Sequence, residues 1–199
     1  MKTIACLGSG SGMIGDQCYD AMVEVGRLLA KRGCVVLTGG FGGVGMEAPA
    51  RGATEVGGKA IGYTIFGKQG NPYLSETVDC RKQYIKVRQY ACVGEESYIE
   101  PPPEVQYGVR LGNLLTADGF IIAADGGPGT MVELMAIINL NYKLWKERPK
   151  SVAVLNINGS GWNSDMLDRL ETWGVLPREV RECVLVVSTP EQAVSWATT

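Results

Sequence analysis

The chain has 199 residues, of which 45% are hydrophobic and 20% charged, a balance typical of a globular domain with a sizeable core. Its 19 basic and 21 acidic residues give a net charge of −2, so there is no basic excess to attract nucleic acid or an anionic membrane. The chain contains no histidine, which excludes Ser-His-Asp and Cys-His catalysis and imidazole metal ligands.

The apolar runs and the cysteines indicate the cellular compartment of the protein. No apolar run approaches the roughly 18 residues of a membrane-spanning helix, and the N-terminal apolar stretch is too short for a signal peptide. The six cysteines are scattered and form no C-x-x-C pair, so we interpret them as reduced thiols. Burial is the expected role of Cys6, Cys34 and Cys183, which lie at or beside predicted strands. The sequence therefore predicts a cytoplasmic protein without a resident metal or cofactor.

Short apolar runs alternate with amphipathic segments along the chain. The runs predict strands buried on both faces at Thr3–Leu7, Cys34–Thr38, Lys59–Ile65, Gly119–Ala124, Ser151–Asn156 and Cys183–Ser188. The intervening periodicities predict helices at Asp16–Arg32, Val44–Val56, Glu104–Thr116, Met131–Lys146, Ser164–Trp173 and Pro190–Ala197. This alternation is typical of an α/β fold, a Rossmann-like doubly wound parallel sheet with helices on both faces.

Residues 66–103 interrupt this alternation, because they mix glycine, proline and charged residues and end in Pro101-Pro102-Pro103. Within them, Asp79–Tyr90 could form a short helix. A long insertion in a compact domain is usually a lid, a partner surface or a disordered segment. We therefore predict one domain over residues 1–199 with an insertion at about 66–103.

Three glycine-rich segments follow predicted strands. They are Gly8-Ser9-Gly10-Ser11-Gly12, Gly39-Gly40-Phe41-Gly42-Gly43-Val44-Gly45 and Gly126-Gly127-Pro128-Gly129-Thr130. In open parallel sheets, ligands bind outside the carboxyl ends of the strands. Glycine lets the backbone approach an anion closely, and the N–H groups at a helix start favour phosphate. One such segment is typical of a tight turn, but three at one sheet edge predict a phosphate- or nucleotide-binding domain.

The first segment also contains a dinucleotide-binding pattern. Gly10-Ser11-Gly12-Met13-Ile14-Gly15 matches G-x-G-x-x-G. That motif needs an acidic residue at the end of the second strand to bind a ribose hydroxyl. Here the second strand ends in Leu37-Thr38-Gly39-Gly40, so we do not expect NAD to bind.

Thr130 and Glu133 admit two interpretations. Their T-x-x-E spacing is that of a capping box, in which Thr130 caps the helix and Glu133 reaches back to its first amides. Alternatively, Glu133 is a functional carboxylate that works with Arg110, on the predicted helix leading into the strand before this loop. An arginine in such a place is otherwise usually a solvated or ion-paired charge.

The segment 126–133, Gly126-Gly127-Pro128-Gly129-Thr130-Met131-Val132-Glu133, matches all but the first residue of the P-G-G-x-G-T-x-x-E signature. In this it resembles the LOG family of cytokinin-activating nucleoside 5′-monophosphate phosphoribohydrolases. Leu7-Gly8-Ser9, the Gly26–Gly33 segment with Thr38-Gly39-Gly40, and Asn156-Ile157-Asn158-Gly159 are similar to it as well. The family's wider relatives include proteins labelled lysine decarboxylases and the molybdenum cofactor carrier proteins. The resemblance covers nearly the whole chain outside residues 66–103.

The resemblance implies an activity and a set of site residues. The implied reaction is hydrolysis of the N-glycosidic bond of a nucleoside monophosphate, with Arg110 and Glu133 as the catalytic pair. The implied phosphate- and nucleotide-binding residues are Gly8, Ser9, Gly39, Gly40, Gly126, Gly127, Gly129 and Thr130. The alternative is a carrier that binds a nucleotide or the molybdenum cofactor without chemistry. The resemblance also implies a homodimer or a higher homo-oligomer, paired along the helix after the third glycine segment.

The chain departs from the family pattern at several positions. In the loop after the second predicted strand, Met46-Glu47 stand where the family tends to have Leu-Met-Gly. Asp125 stands where the signature begins with proline, and Leu111 stands where the family has a lysine after its arginine. Asp125 would either protonate the leaving base as a second carboxylate or cap the loop.

Overall fold

The fold is built around one fully parallel, seven-stranded sheet. The structure is a computed structural model, and it describes residues 1–13, 15–83, 101–157, 159 and 161–199. The strands are β1 (Thr3–Leu7), β2 (Val35–Thr38), β3 (Lys59–Thr64), β4 (Glu76–Asp79), β5 (Gly119–Ala123), β6 (Val152–Leu155) and β7 (Val184–Val187). Their order across the sheet is β4-β3-β2-β1-β5-β6-β7. The predicted Rossmann-like α/β fold is therefore confirmed.

Helices connect the strands. They are α1 (Gln17–Lys31), α2 (Glu47–Glu55), α3 (Pro103–Leu114), α4 (Pro128–Lys143), α5 (Trp162–Thr172), α6 (Arg178–Arg181) and α7 (Pro190–Ala197). Apart from the short α6, each was predicted from the sequence. Among the described residues, no helix has both the length and the apolar character needed to cross a bilayer.

Two apolar cores lie on opposite faces of the sheet because successive strand residues point to opposite sides. On β1, Ile4 and Cys6 join the core that contains α1, α2 and α7. Ala5 and Leu7 join the other core, which contains α4 and α5. The strands are therefore buried on both faces, as their continuous apolar runs predicted.

The strand order opens a crevice between β1 and β5. The chain leaves β1 through α1 on one face and leaves β5 through α4 on the other, so the loops after these two strands diverge. In doubly wound sheets this switch point at the carboxyl edge is where ligands bind. The first and third glycine-rich segments occupy it.

The predicted insertion contributes a strand that the sequence did not reveal. Residues 76–79 form β4, which pairs with β3 in parallel from Ile61–Glu76 to Thr64–Asp79. The sequence Glu-Thr-Val-Asp lacks the apolar run of a buried strand because β4 lies at the edge of the sheet. Residues 80–83 are helical, whereas residues 84–90 of the predicted short helix lie outside the described residues.

Candidate active site

The loops after β1 and β2 pack directly on each other. The Gly45 N–H donates to the Ser9 carbonyl over 3.0 Å, and the Val44 N–H donates to the Ser11 carbonyl over 3.0 Å. A Cβ atom at Gly8 would lie 2.8 Å from the Ala123 Cβ and 3.1 Å from the Gly45 Cα. Glycine at position 8 is thus required for the close approach of the loops after β1 and β2 to the end of β5.

A cleft lies at the carboxyl edge of the sheet and encloses about 290 Å³. Most of the predicted site residues line it, and it includes residues from all three glycine-rich segments. The lining residues are Leu7, Gly8, Ser9, Gly10, Ser11, Gly39, Met46, Tyr107, Arg110, Gly127, Pro128, Gly129, Thr130 and Glu133.

Two predicted binding residues, Gly40 and Gly126, are not among the residues that line the cleft. Gly40 has a φ of +82°, and its carbonyl accepts the Asn71 N–H over 2.9 Å, so it shapes the turn after β2. A Cβ atom at Gly126 would overlap the Thr130 side chain. Both glycines therefore shape the loops beside the cleft, and their role in binding stays a prediction.

The start of α4 presents free amides to the cleft. The N-cap is Gly127, no side chain caps the helix, and Pro128 occupies its first turn. The first backbone bond runs from the Met131 N–H to the Gly127 carbonyl over 3.1 Å. Within the described part of the chain, the N–H groups of Gly129 and Thr130 form no hydrogen bond. Such amides at a helix N-terminus are a ready site for an anion.

The capping-box interpretation of Thr130 and Glu133 is wrong. Proline is favoured in the first turn, so α4 begins at Pro128, three residues before the predicted start. Thr130 and Glu133 thus lie inside the helix, and both are buried. Glu133 is free of the capping role and lines the cleft.

Arg110 reaches the cleft from α3 and is held by backbone oxygens. Its Nε donates to the Tyr63 carbonyl over 3.1 Å and to the Gly39 carbonyl over 3.3 Å. Its Nη2 lies 3.4 Å from the Met46 Sδ, and its guanidinium lies 5.9 Å from the centre of the Phe41 ring. These contacts fix the orientation of a cation that is only 8% exposed.

Glu133 faces Arg110 across the cleft without a tight bond. The Arg110 Nη1 lies 3.7 Å from the Glu133 Oε1, which is beyond hydrogen-bond length. No donor in the described residues bonds the Glu133 carboxylate, which is 6% exposed. Burial raises the pKa of Glu133 from 4.5 to about 7, although the charge of Arg110 opposes this rise. A carboxyl group poised near neutral pH suits proton transfer.

This raised pKa predicts how stability depends on pH. Between pH 4.5 and about 7, the folded carboxyl of Glu133 keeps its proton while the unfolded one ionises. The free energy of unfolding should therefore fall as pH rises through this window, by on the order of 3 kcal/mol from this group. Relative to Glu133→Gln, the wild type should lose this amount in urea titrations at successive pH values. If the free energy of unfolding depends on pH in the same way for both proteins, the pKa of Glu133 is not raised. Glu147→Gln, the same substitution at an exposed position, serves as control.

Tyr107 and Met46 line the cleft but were not predicted from the sequence. Tyr107 precedes Arg110 by three residues on α3, a spacing that places two side chains on one helix face and could have indicated it. Burial raises the pKa of Tyr107, and the nearby Glu133 charge raises it further. Met46 follows the second glycine-rich segment, and no sequence signal marks it.

Comparisons with known proteins bear on the family and the fold of the chain. Residues 1–77 match the model of the SLOG cluster4 family. A segment of 52 residues is 42% identical to an uncharacterised protein of Archaeoglobus fulgidus. That segment makes up 26% of this chain and 34% of the relative, so the match spans about a third of the relative's length.

Solved structures are similar over nearly the whole chain. The protein TM1055 shares 26% identity with a TM-score of 0.66, over 98% of this chain and 97% of its own. The molybdenum cofactor carrier protein of Chlamydomonas reinhardtii shares 19% identity with a TM-score of 0.58, over 98% and 94%. DNA processing protein A of Streptococcus pneumoniae shares 16% identity with a TM-score of 0.58, over 98% and 61%. The last two similarities demonstrate a common fold.

Proposed function

The chain belongs to the SLOG/LOG superfamily of Rossmann-like proteins, and we propose that it is a nucleoside 5′-monophosphate phosphoribohydrolase. The observation that carries this proposal is the buried Arg110–Glu133 pair in a cleft that also presents free helix amides. A phosphate and a reacting sugar need these two features side by side.

The phosphate fits the start of α4. The N–H groups of Gly129 and Thr130 would donate to phosphate oxygens, helped by the partial positive charge of the helix N-terminus. Arg110 supplies a full positive charge to the same site. Its Nε donates to two carbonyls and its Nη1 faces Glu133, so these contacts hold the guanidinium in place. The ribose then lies between the phosphate and the Glu133 carboxylate.

The proposed reaction breaks the bond between C1′ of the ribose and the nitrogen of the base. The electron pair of that bond leaves with the base, and the sugar develops oxocarbenium character. The ionised Glu133 stabilises this cation, orients a water toward C1′ and accepts one of its protons as the new C–O bond forms. The base leaves after it gains a proton from solvent, and the products are free base and ribose 5-phosphate.

A carrier without chemistry is the alternative, and the fold shared with the molybdenum cofactor carrier protein favours it as the second candidate. A carrier would use the same amides and Arg110 for an anionic ligand. The role of a carrier does not, however, account for Glu133, a carboxyl group beside the anion site whose burial raises its pKa to about 7. That group would repel the anion once ionised, so its presence favours a chemical role.

The direct test is incubation of the purified full chain with AMP, followed by chromatography of the products. We expect free adenine and ribose 5-phosphate in equal amounts. Tight binding of AMP or of a pterin, with no turnover across a panel of nucleoside monophosphates, would contradict the proposal and support the carrier.

We further propose that residues 1–199 act as one nucleotide-binding domain that forms a homodimer through α4. Val132, Met135, Asn139 and Tyr142 share one face of this helix, of which Val132 is 47% and Tyr142 36% exposed. A mostly apolar exposed face of this kind is typical of an interface. Light scattering should give twice the chain mass, and Tyr142→Glu should give the monomer; a monomeric wild type would contradict the dimer.

The cysteines fit a reducing compartment. Those that the structure describes, Cys6, Cys18, Cys34, Cys80 and Cys183, are free. We therefore propose that the protein works in the cytoplasm.

A further inference from the structure

The base that departs in the proposed reaction needs a proton. It leaves with the electron pair of the broken bond, and an anionic purine is a poor leaving group unless a proton reaches one of its ring nitrogens. Water can supply this proton only slowly, whereas a positioned general acid typically accelerates such a step by roughly 10²–10⁴-fold. A donor in the wall of the cleft would therefore add substantially to the rate.

Few side chains that line the cleft can release a proton. Glu133 must be ionised to stabilise the sugar cation, and an arginine such as Arg110 keeps its proton in proteins. The serine and threonine hydroxyls of the lining are far weaker acids than a phenol. Among the described residues of the lining, this leaves Tyr107 as the one O–H group that is acidic enough.

Tyr107 is placed by the helix that also places Arg110. The two residues lie three positions apart on α3, a spacing that brings side chains to one helix face, and both line the cleft. The buried Gln106 side chain anchors this part of the helix. Its Nε2 donates to the Pro101 carbonyl over 2.7 Å, and its Oε1 accepts the Phe66 N–H over 2.8 Å. The Tyr107 ring is therefore carried by a fixed segment of backbone.

The Tyr107 hydroxyl is available to a ligand. The residue is half-buried, and its hydroxyl forms no hydrogen bond with any part of the chain that the structure describes. The cleft of about 290 Å³ is at the small end of the range of ligand pockets, so a hydroxyl in its lining is close to a bound nucleotide.

The surroundings of Tyr107 keep its hydroxyl protonated. Burial raises the pKa of Tyr107, the charge of Glu133 raises it further, and the charge of Arg110 opposes the rise. The hydroxyl thus retains its proton at every pH near neutrality at which Glu133 is ionised. An acid and a base that work together need these complementary states.

We propose that Tyr107 donates the proton that the departing base needs, an inference that rests on the proposed function. As the bond from C1′ to the base breaks, its electron pair leaves with the base, and a nitrogen of the base takes the proton of the Tyr107 hydroxyl. Glu133, which has taken a proton from the attacking water, returns it to the tyrosinate. One water is consumed, and both side chains regain their starting states. Glycoside hydrolysis divides the work between an acid and a carboxylate in the same way.

The test is Tyr107→Phe in the full chain with AMP as substrate, because this substitution keeps the ring and removes only the hydroxyl. We expect kcat to fall roughly a hundredfold, the lower end of the contribution of a general acid, since water can still donate. Ribose 5-phosphate, which has no base, should bind with unchanged affinity in calorimetry. The matched control is Tyr73→Phe, at a half-buried tyrosine outside the cleft lining, which should keep the wild-type rate.

The pH profile distinguishes a proton donor from a residue that only shapes the cleft. A general acid must be protonated, so kcat/KM of the wild type should fall at a pH above the ordinary tyrosine pKa of about 10. Tyr107→Phe should lose this fall and keep the rise near pH 7 that comes from ionisation of Glu133. Circular dichroism at the same pH values checks that each protein is folded.

The outcomes separate this inference from the proposed function. If the wild type releases no adenine from AMP, the proposed function is wrong and the role of Tyr107 with it. If the wild type is active and Tyr107→Phe keeps its kcat, the function stands and Tyr107 is not the donor. A slow Tyr107→Phe that retains the alkaline fall, or that no longer binds ribose 5-phosphate, would also overturn the inference, because the hydroxyl would then only shape the site.

Discussion

Glu133→Gln should reduce the release of free adenine from AMP by roughly 10²–10⁴-fold, the usual contribution of a general base. The amide has nearly the shape of the carboxyl group but can neither carry the negative charge that stabilises the sugar cation nor accept a proton from water. The proposed phosphate contacts to Gly129, Thr130 and Arg110 do not involve Glu133, so ribose 5-phosphate should still bind. Its affinity should rise rather than fall, because the substitution removes a nearby negative charge. Steady-state assays and calorimetry on the same preparation measure both effects.

The matched control is Glu147→Gln, the same substitution at an exposed position in the loop before β6, on the opposite edge of the sheet. It should turn over AMP at the rate of the wild type. If Glu133→Gln retains the full rate, Glu133 does not take part in the chemistry. If it loses the rate together with all binding of ribose 5-phosphate, its role is to build the site rather than to react. Only loss of rate with retained binding supports the proposed mechanism.

Gly39→Ala should lower the rate by roughly a hundredfold, because a displacement of about 1 Å in a positioning group has an effect of this size. A Cβ atom at Gly39 would overlap the Arg110 guanidinium and would lie 2.6 Å from the Met46 Sδ. The Arg110 side chain must then leave the carbonyls of Gly39 and Tyr63 that orient it. Gly39 has no positive φ, so the effect comes from this overlap and not from backbone strain.

The matched control for this variant is Gly112→Ala, on the exposed side of α3, where a Cβ atom would contact nothing within 4 Å. It should retain the wild-type rate and gain about 0.5–1 kcal/mol in the free energy of unfolding, because alanine favours a helix interior over glycine. If Gly39→Ala shows the wild-type rate and the wild-type affinity for ribose 5-phosphate, the position of Arg110 is not needed for catalysis.

The elements that the sequence predicted well are those with a local signal. The strand β1 lies where its apolar run indicated, and α7 begins and ends at its predicted residues. The strand β4 was not predicted because its sequence lacks an apolar run. Such a run is not needed there, since β4 lies at the edge of the sheet and its side chains are exposed or only half-buried. The apolar periodicity predicts the start of α4 three residues late, because the first turn is formed by Pro128, Gly129 and Thr130, which carry no apolar periodicity.

The residues of the candidate site also divide into those with a local sequence signal and those without one. The motif and the helix before it indicated Glu133 and Arg110, and the structure brings them to 3.7 Å. Gly40 was predicted for the site because it belongs to a glycine-rich segment, and the structure shows that it shapes the turn after β2 without lining the cleft. Tyr107 was not recognised because an aromatic residue on an amphipathic helix is more often part of the core.

By itself, the sequence determined the parallel α/β architecture and the three glycine-rich loops at one edge, because periodicity and glycine placement act over a few neighbouring residues. Only the tertiary structure decided the chemistry of that edge. The raised pKa of Glu133 depends on burial by distant segments, and the orientation of Arg110 depends on carbonyls 71 and 47 residues away. Arg110 lines the cleft, whereas Asp125 lines a neighbouring cavity that shares Ser9 and Ser11 with it. This separation likewise depends on where the loops pack, since charges act through space and not along the chain.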